Sequence, residues 1–192
     1  MTFDNILEIA GFLIGLIYLY WEYHANSKMW LAGLIMPMIS MWVYFSKGLY
    51  ADFAMNIYYL LMAIYGYIAW TFNFNRKQKE NLPIRHISSG TLMATVGVFC
   101  LVYAAIVAWL IYCTDSTVPY YDGFTTALSI VATWMLARKY IEQWIAWIMV
   151  DAVCVGLYIY KGIYFYATLY LIYTIIAVFG YLKWRRMMNT TK

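Results

Sequence analysis

Charge is scarce in this chain. Of its 192 residues, 11% are Asp, Glu, Lys or Arg and 65% are hydrophobic, whereas a soluble domain averages about 25% charged and about 45–50% apolar. A soluble fold of this length has too much surface for its volume to hide that much apolar side chain. A soluble enzyme is therefore excluded as the default, and the bilayer is the expected solvent. Cysteine is also scarce. Cys100, Cys113 and Cys154 include no close pair and form no zinc or redox signature, so they read as small hydrophobes. The only histidines, His24 and His86, stand far apart at expected membrane boundaries. No His-Glu-x-x-His, phosphate loop or nucleophile elbow occurs. No metal or cofactor is expected, and direct coupling to ATP would need another protein. The net charge of +4 is modest and does not call for nucleic acid as a partner.

Aromatic residues are abundant: 21 Tyr, 10 Phe and 9 Trp, many near the ends of apolar runs. Tyr and Trp favour the membrane interface because an apolar ring carries a hydrogen-bonding tip. A crossing helix needs roughly 20 residues. Seven candidate spans follow, near 5–22, 29–46, 52–72, 90–112, 122–137, 143–160 and 163–183. The first and fifth have the shortest uncharged cores, which fits tilt or burial against neighbours. Asp4 and Glu8 stand where a signal peptide would be basic, so a cleaved leader is not expected. With seven crossings, eleven of the 13 Lys and Arg fall on one side and only Lys47 and Lys161 on the other. The positive-inside rule then puts the N terminus outside and the C terminus in the cytoplasm.

An internal repeat runs at an offset of 114 residues without a gap. Tyr44-Phe-Ser-Lys-Gly-Leu-Tyr50 matches Tyr158-Ile-Tyr-Lys-Gly-Ile-Tyr164, and Tyr59, Ala63, Gly66, Tyr67 and Trp70 recur as Tyr173, Ala177, Gly180, Tyr181 and Trp184. Trp30 recurs as Trp144. The expected fold is an all-α polytopic membrane protein with seven transmembrane helices in a 3+1+3 parallel repeat. Residues 1–72 form the first three-helix repeat. Residues 73–115 form a basic cytoplasmic loop and a linking helix, and 116–192 form the second repeat with a basic tail. Repeats of this kind occur in transporters, whose sites lie where the halves meet near the midplane.

Asp151 lies within the sixth apolar segment, and a carboxylate there is expected to face a cavity or a partner. Trp144, Trp147 and Asp151 are spaced i, i+3 and i+7, which puts them on one helical face. The indoles would clamp a flat ring, and Asp151 would attract a cationic ring or bind hydroxyls or an amine. A structural ion pair, or a neutral hydrogen-bonded acid, is the alternative. Pro37 occupies the register of Asp151 in the first half, and Ser40 that of Cys154 as a weaker contact. The third segment presents Asp52, Asn56 and Tyr59 in one stripe, and its mate presents Tyr166, Tyr170 and Tyr173. The Asn56 amide both donates and accepts. Each tyrosine taken alone fits packing as well as it fits binding. Gly11 and Gly15, and the hydroxyls Thr125, Thr126, Ser129 and Thr133, suit close helix approach or bonding to backbone carbonyls.

Taken in order, Trp144-Ile-Ala-Trp147, Tyr158-Ile-Tyr-Lys-Gly-Ile-Tyr164 and Ile64-Tyr-Gly-Tyr-Ile-Ala-Trp70 resemble the nicotinamide riboside transporter family, the Pnu-type vitamin transporters, over nearly the whole chain. The resemblance implies a SWEET-like architecture with an added central helix. It also implies facilitated diffusion of an unphosphorylated vitamin or nucleoside across the inner membrane of a bacterium, trapping by a cytoplasmic kinase, and a possible homotrimer. The family tryptophan pair maps onto Trp144 and Trp147. Family members typically carry Asn where Asp151 stands and often Gln where Asn56 stands, which leaves nicotinamide riboside and thiamine nearly level as substrates, with the family name tipping the expectation to nicotinamide riboside. Riboflavin fits less well, because its larger flavin ring needs more room. The substrate-binding set expected is Trp144, Trp147, Asp151, Asn56, Tyr59, Ser40, Tyr170 and Tyr173. A membrane enzyme and a non-transporting vitamin receptor are the competing classes.

Overall fold

The structure, a computed structural model, describes residues 14–46, 50–72 and 82–190. Gly11, Lys47, Gly48 and the most basic part of the 73–89 loop lie outside them. Among the described residues seven helices run in order. They are α1 (14–23), α2 (Met29–Ser46), α3 (Tyr50–Thr71), α4 (Ser89–Cys113), α5 (Pro119–Ala137), α6 (Gln143–Tyr160) and α7 (Tyr164–Thr190). The chain divides into two compact units, Met1–Pro83 and Ile84–Lys192.

The expected seven-crossing, SWEET-like 3+1+3 repeat requires correction. Among the described residues four helices are long and apolar enough to cross a membrane: Phe53–Thr71 of α3, α4, α6 and α7. The reason is clearest in α5. Its Tyr120, Tyr121, Asp122, Thr125, Thr126, Ser129 and Thr133 dilute its apolar character. It packs against α4 on one side and α6 on the other, so its buried face meets protein and not hydrocarbon. Its hydroxyls bond inward: Thr133 donates to the Ser129 carbonyl at 2.7 Å and Thr125 to the Tyr121 carbonyl at 3.1 Å. Those two hydroxyls are thereby satisfied within the helix itself. In α2 the apolar stretch among the described residues is Met29–Trp42, and the helix contains Pro37, which removes a backbone donor. A side chain at Gly15 would meet nothing within 4 Å, so that glycine does not mark a close helix contact.

The 114-residue offset shows itself in the internal packing of each unit. In the first unit, the edge of Trp30 meets Trp70 with centroids 5.6 Å apart and planes at 90°. In the second, Trp144 meets Trp184 at 5.7 Å and 88°. All four indoles are buried. Edge-to-face pairs of this kind add about 0.5–1.5 kcal/mol beyond their buried area. Each pair rests on a glycine: a Cβ on Gly66 would strike the Trp30 ring, and one on Gly180 would come within 2.6 Å of the Trp144 ring.

The helix ends repeat too. α1 closes with Ala25 at φ 50° and α5 with Lys139 at φ 53°, again 114 residues apart. In both, the next amide reaches back five residues, Asn26 to the Trp21 carbonyl at 2.9 Å and Tyr140 to the Met135 carbonyl at 3.0 Å. This is the Schellman ending, in which a left-handed residue lets two orphan carbonyls find donors. Its usual apolar contact is present in the second unit, where Tyr140 packs with Met135 and Val131.

Candidate functional site

In the second unit the start of α6 is pinned from outside the helix. The Arg85 amide donates to the Lys139 carbonyl at 3.1 Å, and the Ile141 amide donates to the Arg85 carbonyl at 3.1 Å. The Arg85 guanidinium lies 5.0 Å from the centre of the Tyr140 ring. The Glu142 carboxylate accepts from the Ile87 amide at 3.1 Å and sits 2.7 Å from His86 Nδ1. This strap holds the last residue before α6 and so fixes where its first turn begins.

From that turn a polar and aromatic stripe runs down one face of the helix. At 3.6 residues per turn, Gln143, Trp147, Asp151, Cys154 and Tyr158 fall within a quarter of the circumference. Gln143 is 0% exposed, and both polar atoms of its side chain are buried without a hydrogen-bond partner. Trp147 is half-buried, and its indole nitrogen is likewise buried and unpartnered. Asp151 is 6% exposed, and among the described residues of this unit no cation lies within salt-bridge distance of it. An unsatisfied buried polar group costs about 1–3 kcal/mol, more if charged. Two such groups, Gln143 and Trp147, with the buried carboxylate of Asp151 on the same face of a membrane-spanning helix, mark a place where something polar belongs.

Opposite the stripe, α7 supplies tyrosines. Tyr158 stacks on Tyr166 at 5.4 Å and on Tyr170 at 5.3 Å, and Tyr170 meets Tyr173 edge-on at 5.9 Å. Asp151 is close enough to Tyr170 and Tyr173 to act on both electrostatically. Both rings are half-buried. The arrangement can hold a flat ring against Trp147 and present a carboxylate and phenol hydroxyls to cationic or hydroxylated groups.

The structure thus holds Trp147, Asp151, Tyr170 and Tyr173 in one unit, Trp147 and Asp151 on one face of α6 and the two tyrosines on α7 near Asp151. Trp144 lies beside them, 1% exposed, wedged between Gly180 and Trp184, and it joins α6 to α7 much as Trp30 joins α2 to α3. Ser40, Asn56 and Tyr59 belong to the first unit, where all three are half-buried. There Tyr59 lies edge-on to Tyr58 at 5.7 Å and close to Tyr18. The side chain of Asp52 lies outside the described residues. Among the described residues no three His, Cys, Asp or Glu side chains converge as a metal site would require.

Gln143 escaped the sequence reading because a polar residue at a helix start is ordinary. The signal available was its register, since the first half has Met29 there. The Asp122–Lys161 contact at 3.9 Å was also missed, although Glu8 and Lys47 stand 114 residues before the pair.

The model of the nicotinamide mononucleotide transporter family matches residues 5–186. The chain belongs to that family. It is 23% identical to the nicotinamide riboside transporter PnuC of Escherichia coli (strain K12), over 93% of this chain and 84% of the relative. It is 22% identical to the PnuC of Neisseria mucosa, over 97% and 74%. It is 23% identical to the riboflavin/roseoflavin transporter RibM of Streptomyces davaonensis, over 92% and 83%. A crystal structure of the vitamin B3 transporter PnuC superposes with a TM-score of 0.73 at 21% identity, covering 98% of this chain and 84% of that one. The fold is therefore the one seen in that transporter, which completes the correction of the SWEET-like expectation. Membership of this family makes the chain a multi-pass membrane transporter and not an enzyme.

Proposed function

We propose that the chain carries an unphosphorylated pyridine nucleoside, nicotinamide riboside, across the inner membrane by facilitated diffusion. The observation that carries this reading is the buried carboxylate of Asp151 inside a membrane-spanning helix, set among Trp147, Tyr170 and Tyr173. Such an acid is costly to keep in a membrane, about 2.5–3.5 kcal/mol at a helix centre by insertion scales. A pyridinium ring stacked on Trp147 supplies the opposite charge and the π-face together. Riboside hydroxyls donate to the carboxylate and exchange bonds with the tyrosine hydroxyls. Trp144, Asn56, Tyr59 and Ser40 complete the proposed binding set. The strongest other reading is thiamine, which is also cationic and whose aminopyrimidine amine would donate to Asp151.

The transporter works by alternating access without covalent chemistry, and a cytoplasmic kinase traps the product of uptake. The basic C-terminal tail supports a cytoplasmic position for that end, and the family resemblance supports assembly as a homotrimer. The test is counterflow of labelled nicotinamide riboside in liposomes holding the purified protein, with no ATP and no ion gradient. Exchange is expected in the wild type, with competition by unlabelled substrate, and is expected to be abolished in Asp151→Ala. Strict dependence on a proton or sodium gradient, or undiminished exchange in Asp151→Ala, would overturn the mechanism. Preferential competition by thiamine would transfer the site to that vitamin.

A further inference from the structure

The two units provide an internal control for α6. Where the second unit has Gln143, the first has Met29, and both side chains are fully buried. Methionine and glutamine are nearly equal in length and volume. The packing at this position is thus met by an apolar residue, and the fold does not require an amide there. The amide nonetheless stands in the second unit, with its oxygen and its nitrogen both buried and both unpartnered. The unpartnered indole nitrogen of Trp144 does not single out the second unit in this way, because Trp30 has the same feature. Gln143 and Trp147 therefore stand apart. Each is a buried polar group whose counterpart, Met29 or Gly33, has none.

Gln143, Trp147 and Asp151 follow one another at intervals of four residues on one face, about 6 Å apart along the axis at each step. A ring stacked on Trp147 has Asp151 one turn to one side and Gln143 one turn to the other. We propose that Gln143 is a specificity-determining residue that recognises a primary carboxamide on the substrate ring. This rests on the pyridine nucleoside reading above. A glutamine side chain offers an acceptor oxygen and a donor nitrogen, the mirror of what a carboxamide offers, so the two pair through two reciprocal N–H···O bonds. A carboxylate on the same ring position has no donor for the glutamine oxygen. Sites built around such a pair reject an analogue that leaves their own groups unmatched. The ring is thereby oriented with its carboxamide toward the start of α6 and its ribose toward Asp151.

The test compares nicotinamide riboside with nicotinate riboside, which carries a carboxylate in place of the carboxamide, as competitors in the liposome exchange assay. Wild type is expected to prefer the amide. Gln143→Met is expected to weaken nicotinamide riboside by about tenfold or more, the worth of one or two hydrogen bonds, and to narrow the preference toward unity. Its melting temperature without substrate should hold or rise, because a buried unpartnered amide is gone. Gln143→Glu keeps the size of the side chain and is expected to widen the preference by repelling the carboxylate analogue. The opposite movement of the two variants separates recognition from general damage. An unchanged amide-to-acid ratio in both variants overturns the assignment, as does an equal loss for both competitors in Gln143→Met. Failure of wild type to exchange any pyridine nucleoside would instead strike the functional reading on which the assignment rests.

Discussion

Gly180→Ala tests the packing that fixes α6 against α7. A methyl group at Gly180 would sit 2.6 Å from Cη2 of Trp144 and 2.7 Å from two further ring carbons. Carbon atoms in comfortable contact stand about 3.5–4.0 Å apart, so the indole must retreat by roughly 1 Å. It has little room. Trp144 is buried, and its other neighbour, Trp184, is buried edge-on against it. Overfilling a packed site costs about 1–3 kcal/mol, and losing the edge-to-face geometry costs part of a further ~1 kcal/mol. A loss of about 2–3 kcal/mol is expected, read as a lower melting temperature in detergent. Gly156→Ala is the control. It lies on α6, where a Cβ meets nothing within 4 Å, and the same substitution there should raise helix stability by about 0.5–1 kcal/mol. Gly66→Ala should repeat the Gly180 result in the first unit. The reasoning is falsified if Gly180→Ala melts as high as Gly156→Ala.

Two further outcomes follow from the second unit. Burial holds the Lys139 ammonium down to about 8 from 10.5, so folding disfavours its charged form: the penalty is full below about pH 8, fades as pH rises, and is gone above 10.5. Stability should therefore climb between those values, and Lys139→Gly, which removes the charge and suits φ 53°, should flatten the climb and gain about 1 kcal/mol or more at neutral pH; pH-dependent melting curves that superpose for the two proteins would refute this. Asp122 sits in the first turn of α5, accepts from the Ser116 hydroxyl at 2.9 Å and lies 3.9 Å from Lys161. Asp122→Asn should cost about 0.5–1 kcal/mol, since the pair is partly exposed and the helix start favours an acid, and high salt should shrink the difference; an effect above about 3 kcal/mol would mean that Asp122 does something else.

Helix positions were legible in the sequence to a degree that crossing number was not. The apolar run ending at Tyr160, broken only by Asp151, and the one ending at Ser46 mark α6 and α2 because Lys161 and Lys47 bound them. Whether an apolar helix faces lipid or protein leaves a fainter trace. α5 reads as a weak span because its hydroxyls look like interruptions. In the structure Thr125 and Thr133 bond to backbone carbonyls while the helix packs between α4 and α6. Asp151 was legible because an acid in an apolar run has few innocent explanations. Gln143 was not, because polarity at a helix start is unremarkable until burial is known. The strap through Arg85, His86 and Glu142 was also hidden, because its partners lie 55 or 56 residues apart in sequence.

Comparing the units position by position separates scaffold from site. The indole pairs, the glycines beneath them and the left-handed helix ends recur in both units, and each has a packing or backbone reason to be there. They would be needed in any protein that joins two helices in this way. The units differ at many other positions, Trp42 against Gly156 among them, but most of these exchange one apolar residue for another. Gln143, Trp147 and Asp151 stand where the first unit has Met29, Gly33 and Pro37, and all three lie on one face of α6 and bury polar groups or charge. Drift favours apolar replacements, which are cheaper to bury. A set of changes toward buried polarity, aligned on one face, is what a binding surface produces. By the same reasoning Trp144, which recurs as Trp30 with the same neighbours, serves first as a joint. Trp147 is then the indole whose replacement should change affinity without first changing stability.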